Sequence, residues 1–375
     1  MEQVKRKNLD YIDYFRAIAI IFIVTGHTLV WGRSTMLEFN TLLFAGGTYF
    51  FVFIAGFLFQ YLSYKFEIRT YFKKKFLNVI CPYFVTLLPV AFMYAYQNLD
   101  NWVLKQASFG MRMFAVTIGG YIINGPVWFI GMIAIMFLFS PLFLASWRNK
   151  NIHITLLLSS LILCFIIPRY HSVDMFVGFN PDTSSLWKLL FCNLLYYFKM
   201  FLHFAFIYLF GMEVCVLIEK YHDKIKRNLK SIFQISLFLY IFHFIAQLFV
   251  FDTRNNIQTI SKIIEIVLIL SGLMLIEDKI KNNEVLDKSL KFVAKYSFGI
   301  FFIHYYIVNY LYYHTLYTKR NSQSFLFIGK NTLACCISSI ELFLVTLFGS
   351  ILFLFVIKFI LNKIGIKNTR VFIGV

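Results

Sequence analysis

The residues best suited to chemistry sit where a membrane-compatible helix should carry none. The stretch from Tyr11 to Trp31 reads YIDYFRAIAIIFIVTGHTLVW, and Asp13, Arg16 and His27 interrupt it. A charge at mid-bilayer depth costs about 2.5–3.5 kcal/mol on the insertion scale, so such residues usually mark function. At 100° per residue, the step from Arg16 to His27 is about three turns plus 20°, which puts both on one face about 16 Å apart along the axis. Asp13 lies one turn before Arg16 and can pair with it. An imidazole near one membrane face can take a proton from a hydroxyl and return it to a leaving group. A guanidinium near the other can hold an anionic donor or orient a polar chain. The plainer reading is an interfacial histidine, a snorkelling arginine and a neutralising aspartate. It is the weaker one, because three polar groups on one face are expensive for packing alone.

A second set of candidates is more ambiguous. In KYSFGIFFIHYYIVNYLYYH (Lys295–His314), Ser297 stands at the entrance of an apolar segment and His304 stands part-way along it. The residues alone favour a structural role for His304, since no charged partner is spaced with it. In NGPVWFIGMI (Asn124–Ile133), Pro126 suits a helix first turn and Trp128 is equally an interfacial anchor or a pocket wall. Arg33, just past the first span, joins Trp128, Ser297 and His304 as a candidate substrate contact. Lys199, His203 and His243 lie in apolar segments without a local constellation. The two histidines read as structural, and Lys199 is unassigned.

These residues need helices to position them, and the composition supplies helices of one kind. Hydrophobic residues make up 59% of the 375, only 14% are charged and mean hydropathy is +0.71. A soluble domain carries roughly 25% charged residues. Apolar runs near ~20 residues, each able to span a bilayer, fall at 11–31, 41–62, 76–97, 126–146, 152–168, 189–218, 231–250, 257–276, 296–316 and 335–361. The expectation is an all-α polytopic membrane protein of about ten transmembrane helices. It forms a single domain over 1–375, with both termini cytoplasmic. The segment 189–218 is long enough to begin as an interfacial helix, and 107–123 reads as a short re-entrant or surface helix.

With that alternation, 24 of the 36 Lys and Arg residues fall on the cytoplasmic side and 10 on the other. This bias explains the net charge of +18 by topology and anionic lipid rather than nucleic acid. A basic cytoplasmic face also attracts small polyanions such as coenzyme A. Gly46, Gly47, Ala55 and Gly56 permit close helix approach, and Pro82 begins or kinks the third span. The six cysteines show no metal or disulfide spacing, and HExxH, Walker and GxSxG motifs are absent. No bound metal or cofactor is expected.

The segments IDYFRAIAIIFIVTGHT, FFVFIAGFLF, KKKFLNVICPYF, GPVWFI and YSFGIFFIH occur in this order. Together they resemble the integral-membrane acyltransferase-3 family, over about residues 10–365. The likeness is to the bacterial branch that O-acylates cell-surface sugars, such as fucose 4-O-acetylase-like and exopolysaccharide acyltransferases. The most specific element is Arg-x10-His, met by Arg16 and His27. Many members carry a further Arg four residues before the Asp, where this chain has Leu9. The resemblance implies a multi-pass protein of the inner or plasma membrane. It implies acyl-CoA as donor, acetyl favoured over succinyl, and a surface glycan or lipid-linked sugar as acceptor. It implies catalysis by His27 with Arg16 and Asp13. Two other readings fit the composition: a glycolipid flippase or transporter, and a scaffold subunit of a polysaccharide synthase. The lack of an internal repeat weighs against a transporter.

Overall fold

The structure is a computed structural model and describes residues 9–28, 42–96, 107–118, 127–167, 186–249, 257–310 and 332–375. Those residues form helices joined by turns. In chain order they are α1 (Asp10–Thr28), α2 (Thr48–Tyr61), α3 (Ile68–Lys75), α4 (Cys81–Tyr96), α5 (Phe109–Ile118), α6 (Val127–Ser146) and α7 (Lys150–Ile166). Then follow α8 (Leu186–Lys220), α9 (His222–Phe249), α10 (Ile257–Asn282), α11 (Glu284–Tyr310), α12 (Thr332–Lys363) and the one-turn α13 (Arg370–Ile373). A π-helical turn, Phe76–Ile80, joins α3 to α4 without a break and ends just before Cys81 and Pro82, whose ring and missing N–H interrupt the regular α-helical hydrogen bonding there.

Every segment expected to span is helical over most of its length. Six helices are long and apolar enough to cross a membrane, with cores at Leu42–Tyr61, Trp128–Ser146, Leu190–Lys220, His222–Gln247, Thr259–Asn282 and Ser339–Lys363. The others fall short for physical reasons. The helix α1 has 19 residues but carries Asp10, Asp13 and Arg16, α4 has 16 with Pro89 inside, and α7 has 17. The ambiguous stretch at 107–123 holds the ten-residue α5, which packs on α4, with the Tyr83 hydroxyl donating to the Thr117 carbonyl at 2.7 Å. The long segment near 189–218 is one continuous helix of 35 residues.

The exterior is apolar. Phe238, Phe242, Phe348, Leu352, Phe355 and Phe359 are all exposed on α9 and α12. A soluble monomer does not present contiguous apolar surface on this scale, and lipid removes the penalty.

The helix α1 is packed inside the bundle. It lies along α11, and α2 lies along α8 in the most extensive helix contact of the fold. A Cβ at Gly56 would collide with the Tyr208 carbonyl, and one at Gly211 with the Phe53 carbonyl. The sequence expectation of a small-residue face on α2 therefore holds at Gly56, with Gly211 as its reciprocal. Phenylalanines 15, 50, 53, 57 and 204 fill the surrounding core.

Candidate functional site

Along α1 the ionisable side chains are sorted by height. At its starting end the bundle is rich in basic residues. There Asp10 pairs with Lys281 at 2.9 Å and with Lys291 at 3.2 Å. Burial opposes ionisation of Asp10, but these two ammonium groups outweigh it and hold the carboxyl below its usual range. Lys291 also binds Asp287, whose other partner is the Tyr14 hydroxyl at 2.5 Å. One turn on, Arg16 Nη1 donates to Asp13 Oδ1 at 3.2 Å, the pair the spacing predicts.

Beside this pair a cavity of about 500 Å³ opens at the basic end and runs inward between α1, α2, α6 and α11. Arg16, Lys75, Lys291, Lys295 and Arg370 line it against a single acidic side chain, Asp13, with Asn78 and Ser297 as neutral polar groups. Arg16 and Lys291 have carboxylate partners. Among the described residues, Lys75, Lys295 and Arg370 have no carboxylate side chain in salt-bridge contact. Lys75 instead lies over the Phe137 ring at 4.2 Å and the Tyr71 ring at 5.4 Å. Burial and the nearby Arg370 charge push its ammonium down to about 8. The inner walls are apolar: Phe51, Ile54, Phe129, Ile133 and Phe137. A polyanion with an apolar arm suits such a lining, since fixed cations attract the first and a dry wall accepts the second.

The inner end of the cavity meets an aromatic layer. The Phe301 ring is 6.0 Å from Phe51 and 4.8 Å from Phe129, both cavity walls, and 5.9 Å from His304 on its other side. Beyond Phe301 stand the two histidines. His27, exposed near the far end of α1, has its ring 5.2 Å from His304 and edge-on to Tyr305 at 5.7 Å. His304 is fully buried. Its Nδ1 lies 3.0 Å from the Ile300 carbonyl, so that nitrogen carries the proton and donates. Its Nε2 is therefore an acceptor, and it is buried without a partner among the described residues. Such a group is costly unless something comes to fill it. Ser297, Phe301 and His304 succeed one another at helical spacing on α11, so one face of that helix passes from cavity to histidine pair.

The remaining expectations divide. Ser297 lines the cavity, fully buried, with its hydroxyl donating to the Ala294 carbonyl at 2.7 Å. Trp128 stacks on Phe204 at 6.1 Å, while its neighbour Phe129 is the one facing the cavity. Arg33 lies outside the described residues. His203 is buried with both ring nitrogens engaged, its Nε2 meeting the Tyr49 hydroxyl at 2.6 Å and its Nδ1 the Ile167 carbonyl at 2.8 Å. Lys199 is buried with its ammonium 5.6 Å from the Tyr196 ring.

Three contributors were not legible as site residues. Lys75 reads as one of three stop lysines, Phe301 as one phenylalanine among 47, and Arg370 as a terminal base. Only their position around the cavity separates them from their neighbours. Leu9, immediately before α1, packs against the core. The cavity's cations come instead from α1, α3, α11 and α13, and Leu9 is not among its lining residues.

Among the described residues, the fold is an all-helical bundle with apolar spans and a basic cavity, the architecture of a polytopic membrane protein. The sequence model of the acyltransferase-3 family, described as an acyltransferase domain, matches residues 9–359, nearly the whole chain. The chain belongs to that family, and is a membrane acyltransferase. No characterised protein and no solved structure matches it.

Proposed function

We propose that this protein moves an acyl group, acetyl in the first instance, from cytoplasmic acyl-CoA to a hydroxyl of a surface polysaccharide or its lipid-linked precursor. The observation that carries this is the vertical order of the site: basic cavity, aromatic layer, then His27 beside His304. The basic end is cytoplasmic on the positive-inside argument, with about ten crossings and both termini on that side. Acyl-CoA enters there, its phosphates against Arg16, Lys75 and Lys295 and its acyl arm along Phe51 and Phe129. The thioester passes Phe301 to reach His27, which the acceptor approaches from the outer side.

In the transfer step His27 removes the acceptor hydroxyl proton as the oxygen attacks the thioester carbonyl carbon. The C–S bond breaks, and the departing sulfur takes the proton back from the imidazolium. Attack by His27 itself, through an acyl-imidazole, conserves the same atoms in two steps. Labelled acyl trapped on the wild-type protein in the absence of acceptor distinguishes the second route. Asp13 orients Arg16, and the His304 Nε2 acceptor is placed to fix the tautomer of His27 or to receive the acceptor hydroxyl. No metal or resident cofactor has a part in this scheme.

The test is acyl transfer by protein in proteoliposomes. Acyl-CoA must be consumed, free CoA released and acyl mass added to a glycan acceptor. Movement of glycolipid without acyl-CoA would overturn the reading in favour of a flippase.

A further inference from the structure

The segment after α12 lies beyond the family match, which ends at 359, yet it forms part of the cavity wall. The chain turns at Gly365, where φ is +87°, and comes back across the basic end to form α13 against α4 and the π-helical turn. Its seating is specific. Thr369, Ile373 and Val375 are buried, and the Thr369 hydroxyl donates to the Val375 carbonyl at 2.6 Å. Gly374 adopts φ +72°, the left-handed region that glycine tolerates. On α11, Gly299 is bare where the segment rests. A Cβ there would stand 2.9 Å from the Ile373 carbonyl oxygen and 2.7 Å from a Val375 methyl.

The seated segment delivers one charged side chain to the cavity, Arg370, alongside Arg16 and Lys75. It has no carboxylate side chain in salt-bridge contact among the described residues. Holding an arginine next to like charges opposes folding of the segment unless an anion comes between them. Burial and the Arg16 charge pull its guanidinium below the ordinary range. Arginine is the side chain that meets a phosphate through two parallel N–H bonds.

We propose that the strap formed by residues 369–375 completes the donor site, with Arg370 as a direct contact to a phosphate of the donor. This rests on the reading of the donor as acyl-CoA. The strap thereby adds a cation to the cavity from beyond the family match, which ends at residue 359.

Binding of CoA and of pantetheine, its phosphate-free fragment, is measured by calorimetry on purified full-length protein in nanodiscs. Arg370→Ala is expected to weaken CoA binding by roughly ten- to a hundredfold, the range of one charge-assisted hydrogen-bonding contact. Pantetheine binding stays unchanged, and Arg370→Lys recovers part of the loss. Gly299→Val, which unseats the strap and leaves Arg370 in the chain, gives the same selective loss. Arg370→Gln is the alternative variant if the alanine protein is poorly folded. CoA binding equal to wild type in Arg370→Ala and Arg370→Gln overturns the proposal, as does an equal loss for CoA and pantetheine. Failure of the wild type to bind CoA instead overturns the donor assignment beneath it.

Discussion

The imidazoles of His27 and His304 face each other with ring centroids 5.2 Å apart, one exposed at the end of α1 and the other fully buried in α11. The buried ring commits its Nδ1 proton to the Ile300 carbonyl, so its Nε2 can only accept. Replacing His304 by Asn or Ala should therefore lower kcat, by on the order of ten- to a hundredfold for the loss of one positioning hydrogen bond. It should leave the KM for acyl-CoA unchanged, since His304 lies beyond the cavity. A raised donor KM with unchanged kcat would place His304 in the donor site instead.

Phe301 touches both the cavity wall at Phe129 and the His304 ring. Phe301→Ala should let water reach the thioester, so that CoA is released without acceptor and the ratio of acyl transferred to CoA freed falls below one. The deletion also leaves a void costing about 3–5 kcal/mol. Phe301→Leu serves as the better-folded variant and should show a smaller leak. Tight coupling in both would remove Phe301 from the path.

Lys75 carries a pH dependence with a definite sign. Burial and Arg370 bring its ammonium down to about 8. Below that pH it is charged and attracts the donor phosphates, and as pH rises through it the cavity loses one cation. The KM for acyl-CoA should rise between pH 7 and 9, and Lys75→Arg should flatten that rise because guanidinium stays charged. Persistence of the same profile in Lys75→Arg would assign it to another group.

Lys262 and Glu265 of α10 form a buried ion pair, Nζ to Oε2 2.6 Å, and the same ammonium donates to the Leu43 carbonyl at 3.1 Å. Removing one partner strands the other charge, a cost of about 3–5 kcal/mol. Glu265→Leu should lower the melting temperature in detergent substantially. Lys262→Met added to it should restore much of the loss, as expected when the single variant is penalised by an orphaned charge. Strict additivity of the two changes would show that the pair is not the unit of stability.

Helices were readable wherever apolar runs neared bilayer length, because hydropathy reports the solvent a segment can tolerate. The Asp13–Arg16 pair and the shared face of Arg16 and His27 were readable because they lie on one helix, where spacing fixes direction. The cavity was not. Its cations come from α1, α3, α11 and α13, and no spacing rule relates helices whose approach is set by Gly56, Gly211 and Gly299. Lys75 resembles Lys73 and Lys74 in sequence, yet only Lys75 lines the cavity. The approach of His304 to His27 is hidden for a related reason, since the two rings lie on different helices.

The most direct test of the account uses proteoliposomes with labelled acyl-CoA at the cytoplasmic face and glycan acceptor at the other. Wild type should label the glycan and release CoA. His27→Ala should still bind CoA but transfer at least about a hundredfold more slowly, the lower end for loss of a general base. Transfer by folded His27→Ala at the wild-type rate would contradict the account at its centre.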